Sequence, residues 1–186
     1  MSFSKRARNT YPPLLFSWAL TVLWACFIFM ASAHTGQDLN QGNDVLSHVK
    51  RWMEEVSASI FGPGLDIVSV IGHFTEYVIL GALLRFSLGT THAFLRARAI
   101  AGENSKKAAA LGEEESKTRA HIGVTSARMH MMLLVGAVAL ASLYGVTDEL
   151  HQLFVPGRMC DPADWLTDTL GATLGACIVH ALVKKR

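Results

Sequence analysis

Four long apolar runs limit what this 186-residue chain can fold into more than any other feature of its sequence. They cover residues 14–33, 65–88, 129–147 and 165–183. A helix that crosses the hydrocarbon core of a bilayer needs about 20 mostly apolar residues, and each run is close to that length. Charged residues make up 17% of the chain, too few to cover such runs in water, since an average soluble domain has about 25%. We therefore predict an all-α integral membrane bundle of four transmembrane helices, forming one domain over residues 1–186.

The first run also has the outline of a cleavable signal peptide. Lys5, Arg6 and Arg8 precede it, and the small residues of segment 31–33 end it. Against cleavage, the run is longer than the apolar region of about 7–15 residues that signal peptides carry. We expect a retained first helix, with cleavage as the alternative.

The basic residues predict how the bundle is oriented. Of the 17 Lys and Arg residues, 14 lie in the two terminal tails or between residues 85 and 128. Because Lys and Arg accumulate on the cytoplasmic side, both termini and a cytoplasmic loop over residues 89–128 are expected inside. The predicted location is the inner (cytoplasmic) membrane, crossed several times. Residues 43–59 have apolar positions at helical spacing, which predicts an interfacial helix on the outer side; a packed loop helix is the alternative.

This topology places a set of polar residues in the outer half of the bundle. Ionisable groups at membrane depth cost about 2.5–3.5 kcal/mol each on insertion scales, so they are expected to face one another or a cavity. The candidate ligand-binding residues are His73, Glu76, Tyr77, Asp148, Glu149, His151, Gln152, Arg158, Asp161, Asp164 and Asp168. Asp161 and Asp164 also stand where carboxylates favour the start of a helix, so helix capping is an alternative role for both.

Part of this set resembles the signature of VanZ-like membrane proteins. The resemblance lies in the segment DELHQLFVPGR at residues 148–158 and in the aspartates that follow it at 161, 164 and 168. Upstream, His73-Phe-x-x-Tyr77 is similar to the motif of that family's second helix. The chain departs from the family in its long loop between the second and third runs and in Asp168, where an asparagine is common. The family is named for a protein associated with resistance to the glycopeptide antibiotic teicoplanin, so the resemblance implies a cell-envelope protein with a link to resistance.

The polar set supports several functions. The first is binding of an amphiphile, such as a lipid-linked envelope precursor or a lipoglycopeptide, with Arg158 recognising phosphate or carboxylate. The second is an intramembrane enzyme that acts on an envelope lipid or peptide through a His–Glu pair or a metal held by His73, Glu76 and His151. Whether the protein is an enzyme stays open at this point.

Two further interpretations use the same residues. They are a transporter or proton relay, which the lack of a detectable inverted repeat makes less favoured, and a network of buried hydrogen bonds that only holds the helices together. Membrane lipids are the expected partners, and nucleic acid is not expected. No dedicated metal motif and no cofactor can be assigned from the sequence.

Overall fold

The described part of the protein, in a computed structural model, is a bundle of four long helices. The structure describes residues 11–33, 48, 51–52, 55–56, 58–60, 67–107, 118–156 and 158–184. The four helices are α1 (Tyr11–Ser32), α2 (Ile67–Lys107), α3 (Thr118–Gln152) and α4 (Pro162–Lys184). Over the described ranges the structure has no strand, and each helix contains a stretch long and apolar enough to cross a membrane. The predicted all-α bundle of four candidate transmembrane helices is confirmed.

Two helices continue well beyond the apolar runs that predict them. α2 has 41 residues and α3 has 35, which corresponds to about 60 Å and 50 Å at 1.5 Å per residue, against a hydrocarbon core of about 30 Å. Much of the predicted loop over residues 89–128 is therefore helical, and residues 108–117 lie outside the described part. The predicted interfacial helix over residues 43–59 lies mostly outside it too, although the described positions there, such as Trp52 and Val56, are helical.

α4 begins at a capped proline. Asp161 precedes the helix, and its Oδ1 accepts a hydrogen bond of 2.8 Å from the backbone N–H of Ala163. Pro162 occupies the first helical position, where its missing N–H leaves no hydrogen bond unmade. Asp164 adds a negative charge to the first turn, which the helix dipole favours. The cap fixes where α4 starts relative to the end of α3.

Glycines bring α2 and α4 into close contact. A Cβ atom on Gly81 would collide with the backbone of Ala172, and one on Gly175 would collide with the backbone oxygen of Val78. Gly171 makes a third close approach, again to the backbone of α2. Small residues let transmembrane helices approach to backbone contact, which increases van der Waals packing where hydrophobic association is weak. α2 therefore packs more extensively against α4 than against its other neighbours.

Side-chain hydrogen bonds join α1 to the rest of the bundle. Three pairs connect α1 with α2: Ser17 with Thr90 at 3.0 Å, Trp18 with Thr91 at 2.9 Å, and Thr21 with Ser87 at 2.9 Å. Trp24 Nε1 donates to the backbone oxygen of Glu76 at 2.9 Å, and Tyr144 on α3 donates to the backbone oxygen of Ala25 at 2.6 Å. Polar groups in an apolar environment are costly without partners, so these bonds hold α1 at a defined rotation against α2 and α3.

Candidate functional site

A histidine on α2 and an aspartate on α4 form a buried pair, which is an ion pair when the imidazole is protonated. His73 Nδ1 lies 3.3 Å from Asp168 Oδ1, and the two side chains are 8% and 0% exposed. The atoms are close enough for an ion pair, but their orientation does not meet the angular requirements of a hydrogen bond. The close packing of α2 on α4 through Gly171 brings these two positions together.

The last turn of α3 adds two carboxylates and an amide. Asp148, Glu149 and Gln152 are all buried. Gln152 Nε2 donates to Asp148 Oδ2 at 3.5 Å and to Glu149 Oε1 at 3.4 Å, both of which are long for hydrogen bonds. Glu149 Oε2 accepts a shorter bond of 2.8 Å from the backbone N–H of Asp161. Glu149 thus ties the end of α3 to the residue that caps α4.

The remaining charged residues lie around this centre. Glu76 is half-buried and within electrostatic range of His73, Asp148, Asp168 and Arg158. Asp164, also half-buried, is in electrostatic range of His73. We call the whole set the acidic cluster: His73, Glu76, Tyr77, Asp148, Glu149, His151, Gln152, Arg158, Asp164 and Asp168. It has five carboxylates against one arginine and two histidines.

Two aromatic members of the cluster are held by packing rather than by hydrogen bonds. Tyr77 is fully buried, and its ring centroid lies 6.4 Å from that of Tyr144. The ring of His151 stacks on Phe29 of α1, with centroids 4.1 Å apart. The hydroxyl of Tyr77 and Nε2 of His151 have no hydrogen-bond partner among the residues that the structure describes.

Buried polar atoms without a partner concentrate in this cluster. Among the described residues, ten buried side-chain nitrogen and oxygen atoms lack a hydrogen-bond partner. Seven belong to members of the cluster, and an eighth is the hydroxyl of Ser32, which lies beside Asp148. Buried polar atoms in folded proteins almost always have a partner, so a local concentration of exceptions requires an explanation such as water or a ligand.

A family model described as VanZ/LLP1 matches residues 16–183, which is nearly the whole chain. The chain belongs to the VanZ/LLP1 family. The resemblance to VanZ-like membrane proteins in the sequence is thereby confirmed, and the match includes every residue of the acidic cluster. No curated protein and no solved structure matches the chain.

In this VanZ/LLP1 protein, the three residues that the sequence suggested as metal ligands do not come together as a metal site. His73, Glu76 and His151 are all described, yet no three or more His, Cys, Asp or Glu residues in the described ranges are grouped so that they could hold a metal ion. The stacking of His151 on Phe29 gives a physical reason, because it holds that imidazole against α1. Asp161 is exposed and its side chain caps α4, so it stands at the edge of the cluster and not within it.

The sequence did not single out two contributors from other helices. Ser32 ends α1 and is buried beside Asp148, but in the sequence it is part of a small-residue segment that resembles a signal-peptide cleavage site. Tyr144 borders Tyr77, and its hydroxyl donates to α1. The signal for Ser32 in the sequence was its position: it is a polar residue at the outer end of an apolar run, at the same predicted membrane depth as the other polar residues.

Proposed function

We propose that this VanZ/LLP1 protein crosses the cytoplasmic membrane of a bacterial cell envelope and that its acidic cluster binds the polar part of an amphiphilic, lipid-linked envelope ligand. The observation that carries the proposal is the group of eight buried polar atoms that lack a hydrogen-bond partner among the described residues. A ligand with several donors and acceptors would satisfy them, whereas a purely structural network would be expected to satisfy itself.

The surroundings of Arg158 favour an amphiphile over a small polar solute. The connection between α3 and α4 carries Phe154 and Met159, whose exposed fractions are 84% and 82%. Large apolar side chains this exposed at the end of a transmembrane bundle suit contact with acyl chains. Arg158 lies between these two residues in the sequence and is half-buried. Within the described residues it forms no ion pair. A ligand could place its tail on the apolar residues and its head at Arg158.

The charges of the cluster suit a head group with mixed chemistry. Carboxylates such as Glu76 and Asp148 accept hydrogen bonds from hydroxyl, amide or ammonium groups, and Arg158 donates to phosphate or carboxylate. A lipid-linked precursor that carries a phosphate, a sugar and a peptide has all of these groups. A lipoglycopeptide has a comparable combination of acyl chain and polar head. A role in teicoplanin resistance would follow from binding of either kind, and it rests on family membership.

The His73–Asp168 pair favours one second candidate, an intramembrane enzyme acting on an envelope lipid or peptide. A carboxylate beside a histidine can orient the imidazole as a general base, and the pair is 3.3 Å apart. Incubation of the purified protein with a lipid-linked precursor, followed by mass spectrometry, separates the candidates. Conversion that stops in His73→Gln indicates an enzyme, and unchanged precursor indicates binding alone.

The binding proposal is tested with purified protein in phosphatidylcholine nanodiscs. A fluorescent polyprenyl-diphosphate-linked muropeptide is the probe, and saturable binding is expected. Arg158→Gln should weaken this binding about tenfold, because a charge-assisted contact to phosphate is lost. Arg98→Gln removes a charge from an exposed position on α2 and serves as the matched control. Lack of saturable binding to the wild type, or equal binding by both variants, would contradict the proposal.

A further inference from the structure

A buried arginine lies near the other end of the bundle from the acidic cluster. Arg85 on α2 is 1% exposed and is the largest fully buried side chain of the described residues. It follows His73 by 12 positions on the same helix, which places the two residues about 18 Å apart along the axis. A guanidinium keeps its charge under all physiological conditions, so this charge cannot be removed by loss of a proton.

The charge of Arg85 has no acidic partner among the side chains that the structure describes. No salt bridge joins it to a carboxylate there, and no acidic group in that part of the chain lies within electrostatic range. The one hydrogen bond that joins it to a described residue runs from Nη2 to Nδ1 of His130 on α3, at 3.3 Å. Because arginine only donates, Nδ1 of His130 is the acceptor and carries no proton. Nε of Arg85 has no hydrogen-bond partner in the described ranges.

The groups around Arg85 are themselves bases. The ring of His180 on α4 lies at right angles to that of His130, with centroids 6.4 Å apart. Nδ1 of His180 is buried and has no hydrogen-bond partner in the part of the chain that the structure describes. His92 is in electrostatic range of both Arg85 and His130. Of the ten buried atoms without a hydrogen-bond partner among the described residues, the two that lie outside the acidic cluster and Ser32 are Nε of Arg85 and Nδ1 of His180. Three helices thus bring nitrogen groups, and no carboxylate of the described residues, to one place.

We propose that Arg85, His130 and His180 form an anion site that binds a phosphate group at the end of the bundle opposite the acidic cluster. A buried guanidinium needs a counter-ion, and its planar fork of donors matches the oxygens of phosphate. A free donor nitrogen on Arg85 and an unpartnered ring nitrogen on His180 provide two contacts from different helices. With the predicted orientation, this end of the bundle lies at the inner leaflet, where the headgroups of anionic phospholipids supply phosphate.

The first arm of the test measures the wild type. Protein in dodecyl maltoside micelles and a phosphate-free buffer, so that no phosphate is present at the start, is titrated with phosphatidylglycerol or, separately, with inorganic phosphate, and the midpoint of thermal unfolding is recorded. A saturable rise with phosphatidylglycerol alone assigns the site to a lipid headgroup, and a rise with inorganic phosphate assigns it to a free anion. Either result supports the site. No saturable rise with either probe overturns it, whatever the variants do.

The second arm locates the site on the helices. Arg85→Gln and His180→Ala should each weaken the response to the effective probe, by about tenfold for the arginine because the fork is lost. Arg98→Gln, which changes an exposed arginine of the same helix, should respond as the wild type does. If Arg85→Gln does not fold, the response of His180→Ala decides. That variant should fold, because the imidazole of His180 is only half-buried and does not carry the fixed charge. An unchanged response in His180→Ala, or an equal loss in Arg98→Gln, contradicts the proposal.

Discussion

The imidazole of His73 and the carboxylate of Asp168 lie 3.3 Å apart between α2 and α4, with both side chains almost completely buried. Removing one member of a buried ion pair costs about 3–5 kcal/mol in soluble proteins, because the other is left without its partner. Asp168→Ala should therefore lower the free energy of unfolding by up to about 3–5 kcal/mol. Asp168→Asn keeps a side chain of the same size, with a partly negative oxygen next to His73, and should cost clearly less. Reversible unfolding of both variants in mixed micelles measures the difference.

The comparison also tests the alternative that charge itself is needed at this position. Equal destabilisation by alanine and asparagine would show that the full charge of Asp168 stabilises the pair, and not the size and partial charge of the side chain. If the asparagine variant folds but loses precursor binding, the charge of Asp168 belongs to ligand binding and not to helix packing.

Gly175→Ala should destabilise the contact between α2 and α4. The added Cβ would collide with the backbone oxygen of Val78, which cannot move independently of its helix. Overpacking of this kind costs about 1–3 kcal/mol. Gly72→Ala, on the same pair of helices, is the matched control, because nothing lies within 4 Å of a Cβ there. Similar unfolding free energies for the two variants would show that α2 and α4 are not in backbone contact at Gly175.

The four helices and the approximate membership of the acidic cluster were predictable from the sequence. Long apolar runs identify spans by length alone, and the cost of polar groups in lipid implies that those groups meet. Which residues pair was not predictable. The contact between His73 and Asp168 depends on the rotation of α2 against α4, which is set by backbone contacts at Gly81 and Gly175.

The environment of Arg85 was also not predictable. In the sequence it is one of several basic residues near the predicted cytoplasmic side, and neither hydropathy nor spacing distinguishes it from Arg96 or Arg98, which are exposed. Its burial depends on α3 and α4 approaching α2 at that level, where His130 accepts its hydrogen bond.

The hydrogen bonds of α1 predict that the first apolar segment remains in the mature protein. Cleavage would remove Thr21, the hydrogen-bond partner of the Ser87 hydroxyl on α2, and would leave that hydroxyl exposed to lipid. Intact-mass measurement of protein purified from membranes should therefore find the segment over residues 14–33 attached. A mature protein that begins near residue 34 would contradict this prediction and support a signal peptide.

Labelling of Cys160 tests the predicted orientation. Cys160 is exposed between α3 and α4, so with both termini inside it should react with a membrane-impermeant maleimide added to intact spheroplasts. Residual desolvation, followed by the negative charge of the nearby Glu149 carboxylate, raises the pKa of the Cys160 thiol. Because the thiolate is the reacting form, a raised pKa means less of it at neutral pH, and labelling should be faster at pH about 9 than at pH about 7. Cys160→Ser should abolish the signal. Labelling that requires permeabilised membranes would place this connection, and with it the acidic cluster, on the cytoplasmic side.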